Sequence, residues 1–164
     1  MNFKLINMIK KSLASLLLLA ALILTGCGSG SKNPVDYNNA IITVINGNET
    51  HMANMNSAMS SADYGKAEQV RAEWEKALDV DIKKVEELGD FNGDANFQKA
   101  VLEGLKSYKK VVTESYPKLI EIRKNQINDP ATETTLLNQI NETFETAGND
   151  VNKASDEFET KYNK

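Results

Sequence analysis

Cysteine, histidine and tryptophan each occur once in the 164 residues, as Cys27, His51 and Trp74. A single thiol closes no disulfide within the chain, so stability has to come from burial. A ferritin-like di-iron bundle needs a Glu-x-x-His on each of two helices. Here His51 follows Asn48 by three positions and has no second histidine to pair with. There is no G-x-S-x-G nucleophile elbow. Neighbouring acids such as Glu86 and Glu87 diverge on a helix rather than converge. No alternation of strand type runs to useful length. Basic residues are also short: 19 Lys and Arg stand against 23 Asp and Glu, whereas a nucleic-acid binder needs a basic stripe. With no catalytic constellation to assemble, the chain is expected not to be an enzyme, to need no cofactor and to bind no nucleic acid.

Order is clearest at the start of the chain. Residues 1–11 carry Lys4, Lys10 and Lys11 and no acid, and residues 12–24 are mostly Leu, Ala and Ile. That apolar run is shorter than the ~20 residues of a membrane-spanning helix and has the layout of a cleaved signal peptide. It closes on Leu24-Thr25-Gly26-Cys27, which resembles the lipobox of bacterial lipoproteins. The resemblance implies diacylglyceryl transfer to the Cys27 sulfur, cleavage after residue 26 and acylation of the new amine. Two or three acyl chains hold firmly where one, at about 0.8 kcal/mol per buried methylene, holds marginally. Gly28 stands where an Asp would signal inner-membrane retention, so the same resemblance implies the outer membrane.

Residues 1–26 hold three lysines and no acid, so cleavage takes the formal charge from −4 to −7. An anionic membrane surface repels such a domain, which leaves anchoring to the lipid. The 138 residues that remain suffice for one domain with one core. Residues 27–33 read as a lipidated tether whose Gly and Ser allow a stand-off of about 15 Å.

Residues 34–164 read as an all-α domain. Asn33-Pro34 is a helix start, with Asn as cap, Pro pre-set in the first turn and Asp36 facing the helix dipole. The first helix is expected at about 35–60, with Tyr37, Ile41, Val44, Ile45, Met52, Met55 and Met59 on one face, interrupted by Asn48. Ser60 and Asp63 are placed to form a capping box before a second helix at 64–88. Its stripe is Ala67, Val70, Trp74, Leu78, Ile82, Val85 and Leu88, and its charged residues form a solvated face. Gly89 suits the end of that helix, Asn92-Gly93 is turn chemistry, Phe91 is expected to fold over the bundle end, and Asp94 can cap the next helix. That third helix, at 95–127, carries Phe97, Val101, Leu105, Tyr108, Val112, Leu119 and Ile122. Pro117 inside it predicts a kink or break near Ser115. Asn128-Asp129-Pro130 starts a fourth helix to residue 162, whose stripe from Leu137 through Ile140, Phe144, Ala147, Val151, Ala154 and Phe158 to Tyr162 approaches a heptad seam. Gly148 beside that seam is expected to admit a neighbouring helix closely. Four amphipathic helices on short turns predict an up-down-up-down four-helix bundle.

The runs VDYNNAII at 35–42, the region of Trp74 and FNGDANFQKAVLEGLKSYKKVVTESYPKLIEI at 91–122 resemble the small helical surface lipoproteins of Bacteroidota and spirochaetes. The marks are an early Tyr-Asn pair, an aromatic-then-Gly-Asp turn and a Tyr-Lys-Lys run, and they fade beyond residue 127. Pro117 departs from the family, which has ordinary helix formers there. The resemblance implies a helical-bundle lipoprotein without assigned activity, attached to the membrane through its N-terminal lipid. It brings no catalytic residues.

One ligand set stands out. His51, Met52, Met55 and Met59 bring an imidazole and all three methionines of the cleaved chain into nine residues. Thioether and imidazole ligands suit Cu(I), which makes an exported metal-binding module the alternative function. Against it, the three methionines lie on the stripe with Ile41 and Val44, where methionine fills core space. The acids of Gly89 to Asp94 are too few and wrongly spaced for a calcium loop. Tyr108, Tyr116, Phe144, Phe158 and Tyr162 are a candidate groove lining, although aromatic residues more often pack.

Overall fold

The computed structural model describes residues 32–162; Cys27 and the signal segment lie outside the described residues. Helix α1 spans Pro34–Ser60, and the Asn33 side chain accepts from the amides of Val35 and Asp36 at 2.8 and 3.3 Å, as its cap position predicts. Helix α2 spans Tyr64–Leu88. The capping box expected from Ser60 is not what starts it. Asp63 is itself the cap, accepting from Lys66 N at 2.9 Å, and Ala62 makes the turn with φ of +57°.

Gly89, with φ of +67°, ends α2. Phe91 and Asp94 then exchange two backbone hydrogen bonds, each 2.9 Å, around Asn92 and Gly93, whose φ values are +53° and +90°. Asn-Gly with both angles positive is the two-residue turn that matches strand twist, and here it reverses the chain between helices. The next rod begins with α3 at Asn96–Lys110, passes through a π-helical segment at Val111–Ser115 and ends with α4 at Tyr116–Lys124. Asp94 supports its start by accepting from Asn96 N at 3.1 Å. Helix α5 spans Pro130–Tyr162, and Asp129 accepts from Thr132 N at 3.0 Å.

Pro117 explains the π segment. Proline lacks the N–H for the bond to residue 113, and its ring presses on that carbonyl. The chain stays helical by widening the preceding turn, so that Tyr116 N–H reaches the Val111 carbonyl. The widening also rotates α4 relative to α3. Val111, Val112, Tyr116, Leu119, Ile120 and Ile122 are all buried, so the stripe predicted from Val112, Leu119 and Ile122 is broader than a single α-helical phase allows.

The four rods alternate in direction. Tyr37 near the start of α1 bonds Gly89 at the end of α2, and Asp94 before α3 bonds Lys161 and Tyr162 at the end of α5. These contacts collect at one end, the base; the turns at 61–63 and 125–129 form the opposite end. At 1.5 Å per residue, the 27 residues of α1 span about 40 Å. The result is the all-α, up-down-up-down four-helix bundle that the periodicity predicts. Among the described residues no helix is long and apolar enough to cross a membrane.

Helix α3 approaches α5 closely at Gly104 rather than at Gly148. A Cβ at Gly104 would meet Val151 at 3.3 Å and Ala147 at 3.7 Å, whereas one at Gly148 would meet nothing within 4 Å. The expected role of Gly148 therefore belongs to Gly104, because the seam of α5 presents Ala147 and Val151 to its neighbour. The start of α5 also sits differently from its predicted stripe: Leu136 is buried and Leu137 half-buried.

Candidate functional site

At mid-height, α1 and α2 face each other through polar groups. Asn48 is 1% exposed and Asp81 8%. Trp74 Nε1 donates to Asn48 Oδ1 at 2.8 Å, and Asn48 Nδ2 donates to Asp81 Oδ2 and to the Val44 carbonyl, each at 3.1 Å. The second Asp81 oxygen accepts from Lys84 Nζ at 3.3 Å. The partners satisfy one another, so the set braces the two helices and presents no idle donor to a ligand.

Sequence patterning alone misses this brace. Asn48 reads as a gap and the acids of α2 as a solvated face, yet Asp81 lies inside. The signal is present: Trp74, Leu78, Asp81 and Val85 continue at 4-3-4 spacing, as Ile41, Ile45, Asn48 and Met52 do on α1. A polar residue on each of two facing stripes implies a partnership.

Trp74 is the centre of an aromatic group. The His51 ring lies parallel to the indole at 6.1 Å between centroids, Phe144 stands at 5.9 Å and Tyr116 at 6.2 Å, and Tyr108 meets Phe144 edge-on at 5.0 Å. Burial pushes the Tyr116 hydroxyl well above its ordinary pKa, and burial with nearby Glu49 raises that of Tyr108. The candidate metal residues belong to the same region. Met55 is fully enclosed, Met59 is buried, Met52 packs half-buried against the core, and His51 is half-buried against Trp74. Met55 and Met59 are thus positioned as packing residues. Among the described residues, no three of His, Cys, Asp and Glu stand together as a metal site.

A second aromatic group closes the base. Phe91 does fold over the bundle end: it meets Tyr37 at 5.2 Å, Phe158 at 4.9 Å and Tyr162 at 4.7 Å, and Phe97 packs on Phe158 at 5.4 Å. The candidate groove lining is therefore split, with Tyr108, Tyr116 and Phe144 around Trp74, and Phe158 and Tyr162 at the base. Among the described residues, the large apolar side chains that remain exposed are Val35, Val80 and Ile127, one each on α1, α2 and the 125–129 turn, which makes no contiguous patch there.

Polar contacts bolt the base together. Lys32 Nζ donates to the carbonyls of Leu88 and Asp90 and lies 5.4 Å over the Tyr37 ring. Tyr37 donates to Gly89 O at 2.8 Å; burial, with Asp90 and Asp94 nearby, pushes its hydroxyl up to about 12. Asp94 accepts from Lys161 at 2.7 Å and from Tyr162 at 3.0 Å. Those bonds, the Lys161 ammonium first and the Asn96 amide next, hold its carboxyl below the usual range.

Comparison with protein-family models, with curated proteins and with solved structures finds no match to this chain.

Proposed function

We propose that the chain is a bacterial lipoprotein, held to an envelope membrane by acyl chains on Cys27, whose helical bundle has a non-catalytic interaction or structural role. The observation that carries this reading is Leu24-Thr25-Gly26-Cys27 closing a basic, then apolar, leader. Gly28 after the cysteine favours the outer membrane. The resemblance to small helical surface lipoproteins points the same way. The mutual pairing of Asn48, Trp74 and Asp81 supports a structural use of the interior, since a ligand site needs convergent polar groups left free for its guest.

Metabolic labelling with palmitate tests the anchor. Label is expected on the wild-type chain and is expected to be lost in Cys27→Ser. An unlabelled wild type, or label that persists on Cys27→Ser, overturns the reading.

A further inference from the structure

Residues 41–45 are Ile-Ile-Thr-Val-Ile, five β-branched side chains in succession, and Asn46-Gly47 follows them. Local preference makes this a strand running into a turn. β-branched residues lose side-chain freedom in a helix and fit a pleated surface. Asn-Gly at 92–93 makes such a turn in this same chain, with both φ values positive. Yet residues 41–47 lie wholly inside α1. The helix carries signs of the mismatch. Thr43 Oγ1 donates to the Asn39 carbonyl at 2.7 Å, a bond that competes with the helix's own ladder. Asn46 Oδ1 is enclosed and finds no donor among the described residues. Helix α1 has no Lys or Arg, and no charge of either sign stands between Asp36 and Glu49, so no ion pair one turn apart supports this stretch.

Tertiary packing therefore keeps α1 helical. It packs along α2 and meets α5 only sparsely, and the contact of Asn48 with Trp74 and Asp81 is its polar tie to α2 at mid-height. We propose that residues 40–45 are a latent self-association segment: when α1 leaves α2, this run becomes a strand and pairs with the same run of a second copy. On a strand, Ile41, Thr43 and Ile45 share one face and Ile42 and Val44 the other, so both faces offer β-branched surface for a dry interface. The six residues hold no charge, proline or glycine, which is the composition such an interface needs. Identical uncharged runs stack in register without repulsion, and that makes a second copy the fitting partner. In the folded chain Ile41 is buried and the helix satisfies the backbone groups, so the segment is closed to pairing. The inference does not depend on the lipid anchor.

Ser31–Lys164 is one compact unit that holds the whole buried core cluster, and it is the species to test. It is agitated at its thermal midpoint, where folded and unfolded chains coexist. Thioflavin T fluorescence follows growth, and limited proteolysis with mass spectrometry identifies the protected core. Each variant is held at its own midpoint, so differences in stability cancel. Thr43 and Thr135 are both exposed helical threonines that bond the carbonyl four residues back. Thr43→Lys puts a charge inside the strand, and Thr135→Lys puts the same charge on α5. Wild type and Thr135→Lys are expected to give assemblies with a repeat of about 4.7 Å and a protected core over residues 40–45. Thr43→Lys is expected to grow about tenfold slower or more. No β-rich assembly from wild type, a protected core that leaves out residues 40–45, or equal growth of the two lysine variants overturns the proposal.

Discussion

The Trp74 indole and the Asn48 amide, 26 positions apart, meet at 2.8 Å across the α1–α2 interface and set the height at which the two helices pair. Asn48→Leu keeps the branched shape and strands two buried groups, the Trp74 N–H and one Asp81 oxygen. Each such loss costs about 1–3 kcal/mol, so unfolding free energy is expected to fall by about 2–6 kcal/mol. Adding Trp74→Phe removes one stranded donor, and the double variant is expected to lose less than the sum of the two single changes. Urea denaturation followed by helical circular dichroism measures all three.

Three glycines are expected to separate by sign. Nothing lies within 4 Å of a Cβ at Gly47 or Gly148, both inside helices. Alanine at either is expected to raise stability by up to ~1 kcal/mol. Gly104→Val drives a branched side chain into Val151 and Ala147, and a loss of about 1–3 kcal/mol is expected. Thermal melts of the three variants rank them.

Methionine at the top of α1 is expected to act by volume. Met55→Leu should cost less than about 1.5 kcal/mol, and Met55→Ala about 2–5 kcal/mol through the cavity it leaves. Denaturation midpoints check the contrast; equal losses from the two changes would show that the sulfur matters beyond its bulk.

The base is expected to loosen at both ends of the pH scale. Asp94 is held below its ordinary value of 3.8 by Lys161, the Asn96 amide and Tyr162. Its contribution is therefore present above that value and is lost as pH falls through the lowered folded one. Tyr37 is raised from 10.0 to about 12, so its contribution is complete below 10.0 and is lost as pH climbs toward 12. Hydrogen-exchange protection at the end of α5, taken relative to the intrinsic rate at each pH, should fall in acid, and Asp94→Asn should remove that fall. Ultraviolet titration should find Tyr37 still protonated beyond the ordinary tyrosine range.

Helix identity and direction are legible in the sequence because each rod carries both a stripe and a terminus signal. Asn33-Pro34, Gly89, Asn92-Gly93 and Asp129-Pro130 mark boundaries through local backbone chemistry, and the observed ends lie close to them. The illegible part depends on facing surfaces. Asp81 reads as solvated until Asn48 is placed opposite it. Gly104 and Gly148 look alike until the side chains of α5 are aimed. Ile120 and Val111 join the core because the π segment shifts the helical phase, and no fixed period written along the sequence contains that shift. Cys27 rests on its sequence pattern alone, since it lies outside the described residues.

Asn38 in the first turns of α1 donates to Glu159 near the end of α5 at 2.9 Å, across 121 positions of sequence. The route through the bundle is thus nearly a closed circuit. A circular permutant that splices residue 162 to residue 33 through a few Gly and Ser residues, and is cut open between residues 61 and 63, would keep all four rods and their neighbours. Its order of synthesis would be rotated, with α2 emerging first and α1 last.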